Sequence, residues 1–388
     1  MVKNTQWRGV WISFLTGVLA AVVITKASPA LLAMQQEMQL SLVNIGWVMS
    51  CVAISTVLLA IYTGILSQRF GPHKILQIGL LLILFASCAG AFATSLMSLI
   101  IGRSIEGIGV LFISVAAPTL VSHLSKPSDI GLTMGVWALW MPIGSLIVFL
   151  LSPFILEQLD WRWLWGSASI LALPIYLLSR YIPTVNLKQT TASDNSTNSY
   201  ILGSITLGFI FTFFTVNFFA LITYLPSYLV STYQVLDSRA VFITAIIPLF
   251  ILPGNLLGGF FIHRGIRPIS ILFFASFILS LLMAVLFNTE YSPITGLTLL
   301  ACYSCLLGMI PTAIFAQAPL MTSSPSKIPS VIGIMITGQA IGILAGPPFA
   351  GFLVGDTLQW TNLAPMLIVA PLLVMILTKP LAKLQKKT

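Results

Sequence analysis

The sequence predicts an all-α membrane protein of twelve transmembrane helices in two pseudo-symmetric six-helix halves. Three observations lead there. The 388 residues are 57% apolar and 7% charged, where ordinary soluble domains carry about 25% charged residues, and the mean hydropathy is +1.02. The apolar runs are long and unbroken, and one polar loop pattern recurs half a chain later. Since a bilayer core takes about 20 mostly apolar residues per helix, a chain of this length holds about twelve spans.

The runs fall at 9–33, 43–67, 75–94, 96–123, 131–155, 163–182, 200–230, 239–262, 269–288, 293–321, 330–354 and 361–379. Barrel strands would show segments of about ten residues alternating apolar and polar, so helices are the expected element. The first run exceeds a signal-peptide core of about 15 residues and is expected to stay as an uncleaved first helix. The longest polar stretch, Pro183 to Ser199, reads as a flexible cytoplasmic linker. It separates a first six-helix half, 1–182, from a second, 200–388. Its Asn195-Ser196-Thr197 fits the glycosylation pattern, but a cytoplasmic loop does not meet that machinery.

Orientation follows from the basic residues. Of the 18 present, only Arg162 and Arg239 fall in outer segments when both termini are placed inside. Glu37, Glu157, Asp160, Asp237, Glu290 and Asp356 then lie outside. The expectation is a multi-pass protein of the bacterial inner (cytoplasmic) membrane, monomeric, with both termini cytoplasmic. Its net charge of +9 belongs to loops beside anionic lipid and calls for no nucleic acid.

Metal and cofactor sites are not expected. Cys302 and Cys305 form a C-x-x-C inside the tenth span with no second pair to complete a site, and His73, His123 and His263 sit at loops or helix ends. A bilayer enzyme would need clustered His, Asp or Ser groups, so no enzyme is expected. With no nucleotide-binding loop, the energy for any transport has to come from an ion gradient.

The loop after the second span reads GILSQRFGPHK, and the eighth span ends GFFIHRGIR. Gly64 and Gly259 each precede an arginine, Arg69 and Arg264, by five residues, and the shift of 195 is half the chain. Duplication of a six-helix unit follows. GILSQRFGPHK resembles the loop signature of the major facilitator superfamily through Gly64, Leu66, Arg69, Phe70, Gly71 and Lys74. Gln68 stands where that family has aspartate. The stretch RSIEGIG, with Arg103, Glu106, Gly107 and Gly109, is similar to the family's fourth-helix motif, and the residues after it resemble the cyanate-permease-like branch, whose members move small organic anions. Gly135, Pro142 and Gly144 are a degraded form of the antiporter signature, with Met141 replacing a glycine. The resemblance implies the major facilitator fold, alternating access, and gating by Gly64, Arg69, Gly71, Gly259 and Arg264.

Lys26, Arg103 and Glu106 fall well inside predicted spans. Each costs about 2.5–3.5 kcal/mol at a helix centre, so all three should face a cavity or one another. Arg103 and Glu106 are three residues apart and are expected to pair locally. That assignment leaves Lys26 without an acid, so an anionic ligand held by Lys26 and Arg103 is expected, with snorkelling of the lysine as the competing account. Neutral groups of the second half, Asn217, Tyr224, Gln317 and Gln339, together with Trp140, are expected to complete the substrate site, and Glu106 to carry a coupling proton. The resulting expectation is a secondary active transporter taking up a small or medium organic anion, with a proton-antiporting drug or metabolite exporter as the alternative. Substrate, coupling ion and direction stay open at this stage.

Overall fold

The computed structural model describes residues 4–40, 42–184, 197–234, 243, 246–288, 291–354 and 360–385. Fourteen α-helices are named here: α1 (Trp7–Thr25), α2 (Ala27–Met38), α3 (Leu42–Phe70), α4 (Pro72–Ala91), α5 (Leu96–Leu124), α6 (Ile130–Ala138), α7 (Trp140–Gln158), α8 (Arg162–Ser179), α9 (Thr197–Tyr233), α10 (Ile251–His263), α11 (Pro268–Asn288), α12 (Pro293–Gln317), α13 (Ile328–Val354) and α14 (Ala364–Gln385). Ten spans among the described residues have the length and apolarity to cross a membrane. With α8 and α10 they fill the twelve positions read from the sequence, in two pseudo-symmetric six-helix halves. The 183–199 linker and the Asn195 pattern lie largely outside the described residues, and α9 already begins at Thr197.

Among the described residues three predicted spans are interrupted: the eighth passes through a 3-10 turn at Ile247–Phe250 before α10, and the other two break where a proline removes a backbone donor. The first run divides into α1 and α2 at Lys26, three residues before Pro29, which has no N–H to offer the Thr25 carbonyl. The fifth divides into α6 and α7 at Leu139, three residues before Pro142. Large apolar side chains such as Phe85, Phe154, Phe274 and Phe352 stand exposed, while the buried set is rich in Ala, Ser, Thr and Gly. That distribution suits a lipid surround, where small residues let helices approach closely.

The chain forms two compact units. One comprises Met1–Pro127, Leu139–Thr191 and Ser324–Thr337; the other comprises Ser128–Ala138, Ala192–Ser323 and Gly338–Thr388. Each is a six-helix half that has taken up one short segment from the other half of the sequence, and the two exchanged segments correspond under the internal repeat.

Glycine makes both exchanges. In the first unit, a Cβ on Gly64 of α3 would lie 2.7 Å from the Pro329 carbonyl oxygen, and one on Gly333 of α13 would lie 2.6 Å from the Ala60 carbonyl oxygen. Beside this contact Ser330 Oγ donates to Gln68 Oε1 at 3.0 Å. The neutral residue standing in place of aspartate is therefore part of the joint. In the second unit, a Cβ on Gly259 of α10 would lie 2.7 Å from the Gly131 carbonyl oxygen, and one on Gly135 would lie 3.3 Å from the Gly259 Cα. Here His263 Nδ1 donates to the Ser128 carbonyl at 2.9 Å and stands 3.8 Å from Asp129 Oδ1. Both joints lie next to turns that need a left-handed glycine, Gly71 at φ +89° and Gly265 at φ +91°, which a side chain would strain.

A tight glycine joint predicts a clear mutational result. With Cys51, Cys88, Cys302 and Cys305 replaced by serine, a cysteine pair at Gln68 and Ser330 should form a disulfide on mild oxidation. Gly333→Val should abolish it by pushing α13 off α3, whereas persistence of the disulfide at wild-type rate would show that the glycine contact does not hold the two helices together.

Candidate functional site: a buried charge triad

The three embedded charges meet inside the first unit. Lys26 occupies the break between α1 and α2, and Arg103 and Glu106 lie one turn apart on α5. Lys26 Nζ stands 2.6 Å from Glu106 Oε1, and Arg103 Nη1 stands 2.9 Å from Glu106 Oε2, with the three side chains 0–1% exposed. The expectation that pairing with Arg103 would leave Lys26 without an acid is therefore corrected. A carboxylate has two oxygens with about four lone-pair positions, and Glu106 gives one oxygen to each cation. Snorkelling is corrected as well, because Lys26 turns inward.

Packing holds the triad in place. A Cβ on Gly107 would lie 2.8 Å from the Val52 Cα, and one on Gly109 would lie 2.8 Å from the Gly79 carbonyl oxygen, so α5 is pressed against α3 and α4. Arg103 spends its other donors on backbone carbonyls, Nη1 to Val23 at 2.7 Å, Nη2 to Ile24 at 3.3 Å and Nε to Val48 at 3.3 Å. Val23 and Ile24 belong to the last turn of α1, where carbonyls run out of helical partners and the helix dipole is negative. Arg103 thus caps α1 while neutralising Glu106.

Two further members were not anticipated. Ser87 of α4 accepts from Lys26 Nζ at 2.8 Å and donates to Glu106 Oε1 at 2.6 Å. The face of Trp165 on α8 lies against Lys26, with Nζ 4.9 Å from the ring centroid, and a Cβ at Gly90 would collide with this indole. The ring adds cation–π attraction. Hydroxyls are scattered through many of the spans, so nothing in the sequence marks Ser87.

From the triad a line of contacts runs along α2. Trp165 packs edge-on against Trp161 with centroids 5.3 Å apart, and Trp161 Nε1 donates to Glu37 Oε2 at 2.6 Å. Arg162 holds Glu37 Oε1 at 2.7 Å and Asp160 Oδ2 at 2.7 Å, and also donates to the Ala93 carbonyl at 3.2 Å. Hydrogen bonds from Arg162 and then Trp161 keep the Glu37 carboxyl below its ordinary value, and Glu37 raises Arg162 in turn.

The polar residues assigned from the second half are not gathered into one cluster. Asn217 Nδ2 donates to the Leu367 carbonyl at 2.9 Å and Tyr224 OH to the Pro347 carbonyl at 3.2 Å. Gln317 Nε2 donates to Gln385 Oε1 at 3.1 Å. Gln339 is half-buried on α13, where its backbone carbonyl accepts from Thr215 at 3.1 Å. Trp140 is buried at the start of α7. Arg69 and Arg264 lie against neighbouring rings, Phe70 at 5.4 Å and Phe260 at 5.0 Å. Among the described residues no group of three His, Cys, Asp or Glu side chains has metal-site geometry.

Two stability measurements test this geometry. Removing only the carboxylate strands two buried cations, so Glu106→Ala should destabilise the protein by about 3–5 kcal/mol. The triple replacement Lys26→Met, Arg103→Met, Glu106→Leu should recover much of that loss in detergent melting curves; no recovery would mean that the charges themselves hold the helices together. For Glu37, a depressed carboxyl contributes stability above its unfolded value that is lost as pH falls through the folded one. The melting-temperature gap between wild type and Glu37→Gln should accordingly be present at neutral pH and close in acid below about pH 4.

Comparison with known proteins agrees with this architecture. The family model described as Major Facilitator Superfamily matches residues 13–324. A D-xylose transporter of Levilactobacillus brevis is 30% identical over 40% of this chain, but the match spans only 34% of that relative's length. A 3-(3-hydroxy-phenyl)propionate transporter of Escherichia coli strain K12 is 26% identical with 96% of this chain and 94% of the relative covered. Among solved structures, the proton:xylose symporter XylE superposes with a TM-score of 0.79 at 16% identity over 97% of this chain and 95% of that one. With the family model covering most of the chain, this protein belongs to the Major Facilitator Superfamily.

Proposed function

We propose that this chain is a secondary transporter that takes up a small organic monoanion across the bacterial inner membrane by alternating access, coupled to protons. It would act as a monomer with both termini in the cytoplasm. The observation that carries the reading is the charge of the buried triad. Lys26 and Arg103 against Glu106 leave a net +1 with 0–1% exposure, and in a low-dielectric interior such a charge is felt strongly. An anion approaching the triad relieves it, whereas a lipophilic cation, the usual cargo of drug exporters, is repelled. The relative matched over nearly its whole length is named for an arylpropionate, which supports the same reading.

Sugar–proton symport is the second reading. It rests on the xylose relative and on the fold shared with the xylose symporter. A neutral sugar gains nothing from a buried net charge, and the relative matches over only part of its length. Gly64, Arg69, Gly71, Gly259 and Arg264 would gate the cytoplasmic side, as the family resemblance of their two loops implies.

Uptake by proteoliposomes separates the readings. Labelled 3-(3-hydroxyphenyl)propionate should accumulate when the outside is made acid, and D-xylose should not enter above protein-free vesicles. Accumulation of xylose with exclusion of the arylpropionate would favour the sugar reading.

A further inference from the structure

We infer that Lys26, rather than Glu106, binds and releases the coupling proton, and that its loss of charge is what discharges the anion. This rests on the proton-coupled anion reading above.

Charge arithmetic within the observed geometry carries it. Arg103 is permanently charged and is fixed by carbonyls of Val23, Ile24 and Val48. Two protonation changes are then available to the triad. Protonating Glu106 would leave Lys26 and Arg103 as two buried cations with no anion between them. Deprotonating Lys26 leaves the Arg103–Glu106 ion pair, which is neutral overall. Burial of net charge is costly and burial of a closed pair much less so, so the lower-cost change is at Lys26.

The surroundings of Lys26 suit both forms. The groups facing Nζ are Glu106 on α5 at 2.6 Å, Ser87 on α4 at 2.8 Å and the Trp165 ring on α8 at 4.9 Å, with Arg103 behind Glu106. As an ammonium, Lys26 donates to Ser87 and Glu106 and lies on the indole face. As an amine it still donates to Glu106, and the Ser87 hydroxyl, 2.8 Å away, can turn its proton from Glu106 to the nitrogen lone pair, so no polar group is left stranded. In the step itself one Nζ–H bond breaks, the electron pair stays on nitrogen, and the proton passes to water admitted from the cytoplasmic side. Reprotonation by water from the outer side restores the ammonium.

Position adds a mechanical role. Lys26 is the residue at which the first transmembrane segment breaks, so its bond to Glu106 ties the start of α2 to α5, as Glu37 ties the end of α2 to Arg162. Coupling then has a simple form. The site at net +1 attracts a monoanion, one proton and one anion cross together, and loss of the proton inside removes the countercharge. Transport is electroneutral, with one proton per anion.

The test uses the full chain in proteoliposomes with 3-(3-hydroxyphenyl)propionate as probe, a monoanion near neutral pH because its carboxyl titrates near 4 and its phenol near 10. Wild type should accumulate the probe under an inward proton gradient, and an imposed potassium-diffusion potential of either sign should leave the rate unchanged. Lys26→Arg fixes the charge, so the ratio of gradient-driven accumulation to probe counterflow should fall at least tenfold from that of wild type. A second variant is read by binding in detergent. Lys26→Met imitates the discharged site and should bind at least tenfold more weakly, with no remaining pH dependence between about pH 6 and 9, a window in which the probe's own carboxylate does not titrate. An unchanged ratio in Lys26→Arg, a pH dependence that survives in Lys26→Met, or net charge movement with the probe would each overturn the inference while leaving anion transport standing. If wild type neither binds nor exchanges the probe, the anion reading itself fails and this inference with it.

Discussion

One carboxylate holding two cations is the constraint on which the first unit is organised. Glu106 on α5 fixes Arg103 on its own helix and Lys26 at the α1–α2 break, while Arg103 closes off the end of α1 and reaches Val48 on α3. With Ser87 from α4 and Trp165 from α8, the cluster joins α1, α3, α4, α5 and α8 at the start of α2. Buried ion pairs seldom add stability beyond what apolar packing supplies. The excess positive charge of this cluster is therefore what the proposed anion and proton roles rest on.

Much of this was legible in the sequence, and the failures have physical causes. The embedded charges stood out because charge inside a long apolar run is costly. The partner of Lys26 was missed because an i, i+3 spacing advertises a local pair, whereas a bond between residues 80 positions apart leaves no local trace. Glu106 was treated as serving one cation when its two oxygens could serve two. Pro29 and Pro142 were visible, but the apolar runs pass straight through them, and composition alone does not say whether a helix bends or breaks. In the second half, Asn217 and Tyr224 read as ligand groups because amides and phenols in a bilayer must bond to something; the structure gives them backbone carbonyls of neighbouring helices.

The internal repeat was found through Gly64 and Gly259, yet what those glycines touch was not. Their partners, Pro329 to Gly333 and Gly131 to Gly135, are unremarkable stretches of apolar and small residues, and recognising a glycine joint requires both surfaces. The two joints have also diverged chemically. One is stitched by a neutral Gln68–Ser330 hydrogen bond, and the other carries a histidine beside an aspartate. Duplication thus preserved the backbone approach and let the polar stitching drift.

The border between the compact units falls inside what would otherwise be two equivalent transmembrane segments, and it treats them differently. At Ala138–Leu139 the border coincides with the break between α6 and α7, so that segment is already jointed like a knuckle. At Thr337–Gly338 it runs through the middle of α13, an unbroken helix of 27 residues. Gly338, Gly342 and Gly346 follow at four-residue intervals on the face of α13 that packs against α9, where a Cβ would meet the backbone of Gly208, Thr212 and Val216. One of the two related segments therefore crosses the border as two rods and the other as one, so the pseudo-symmetry of the sequence is not matched by the path of its helices.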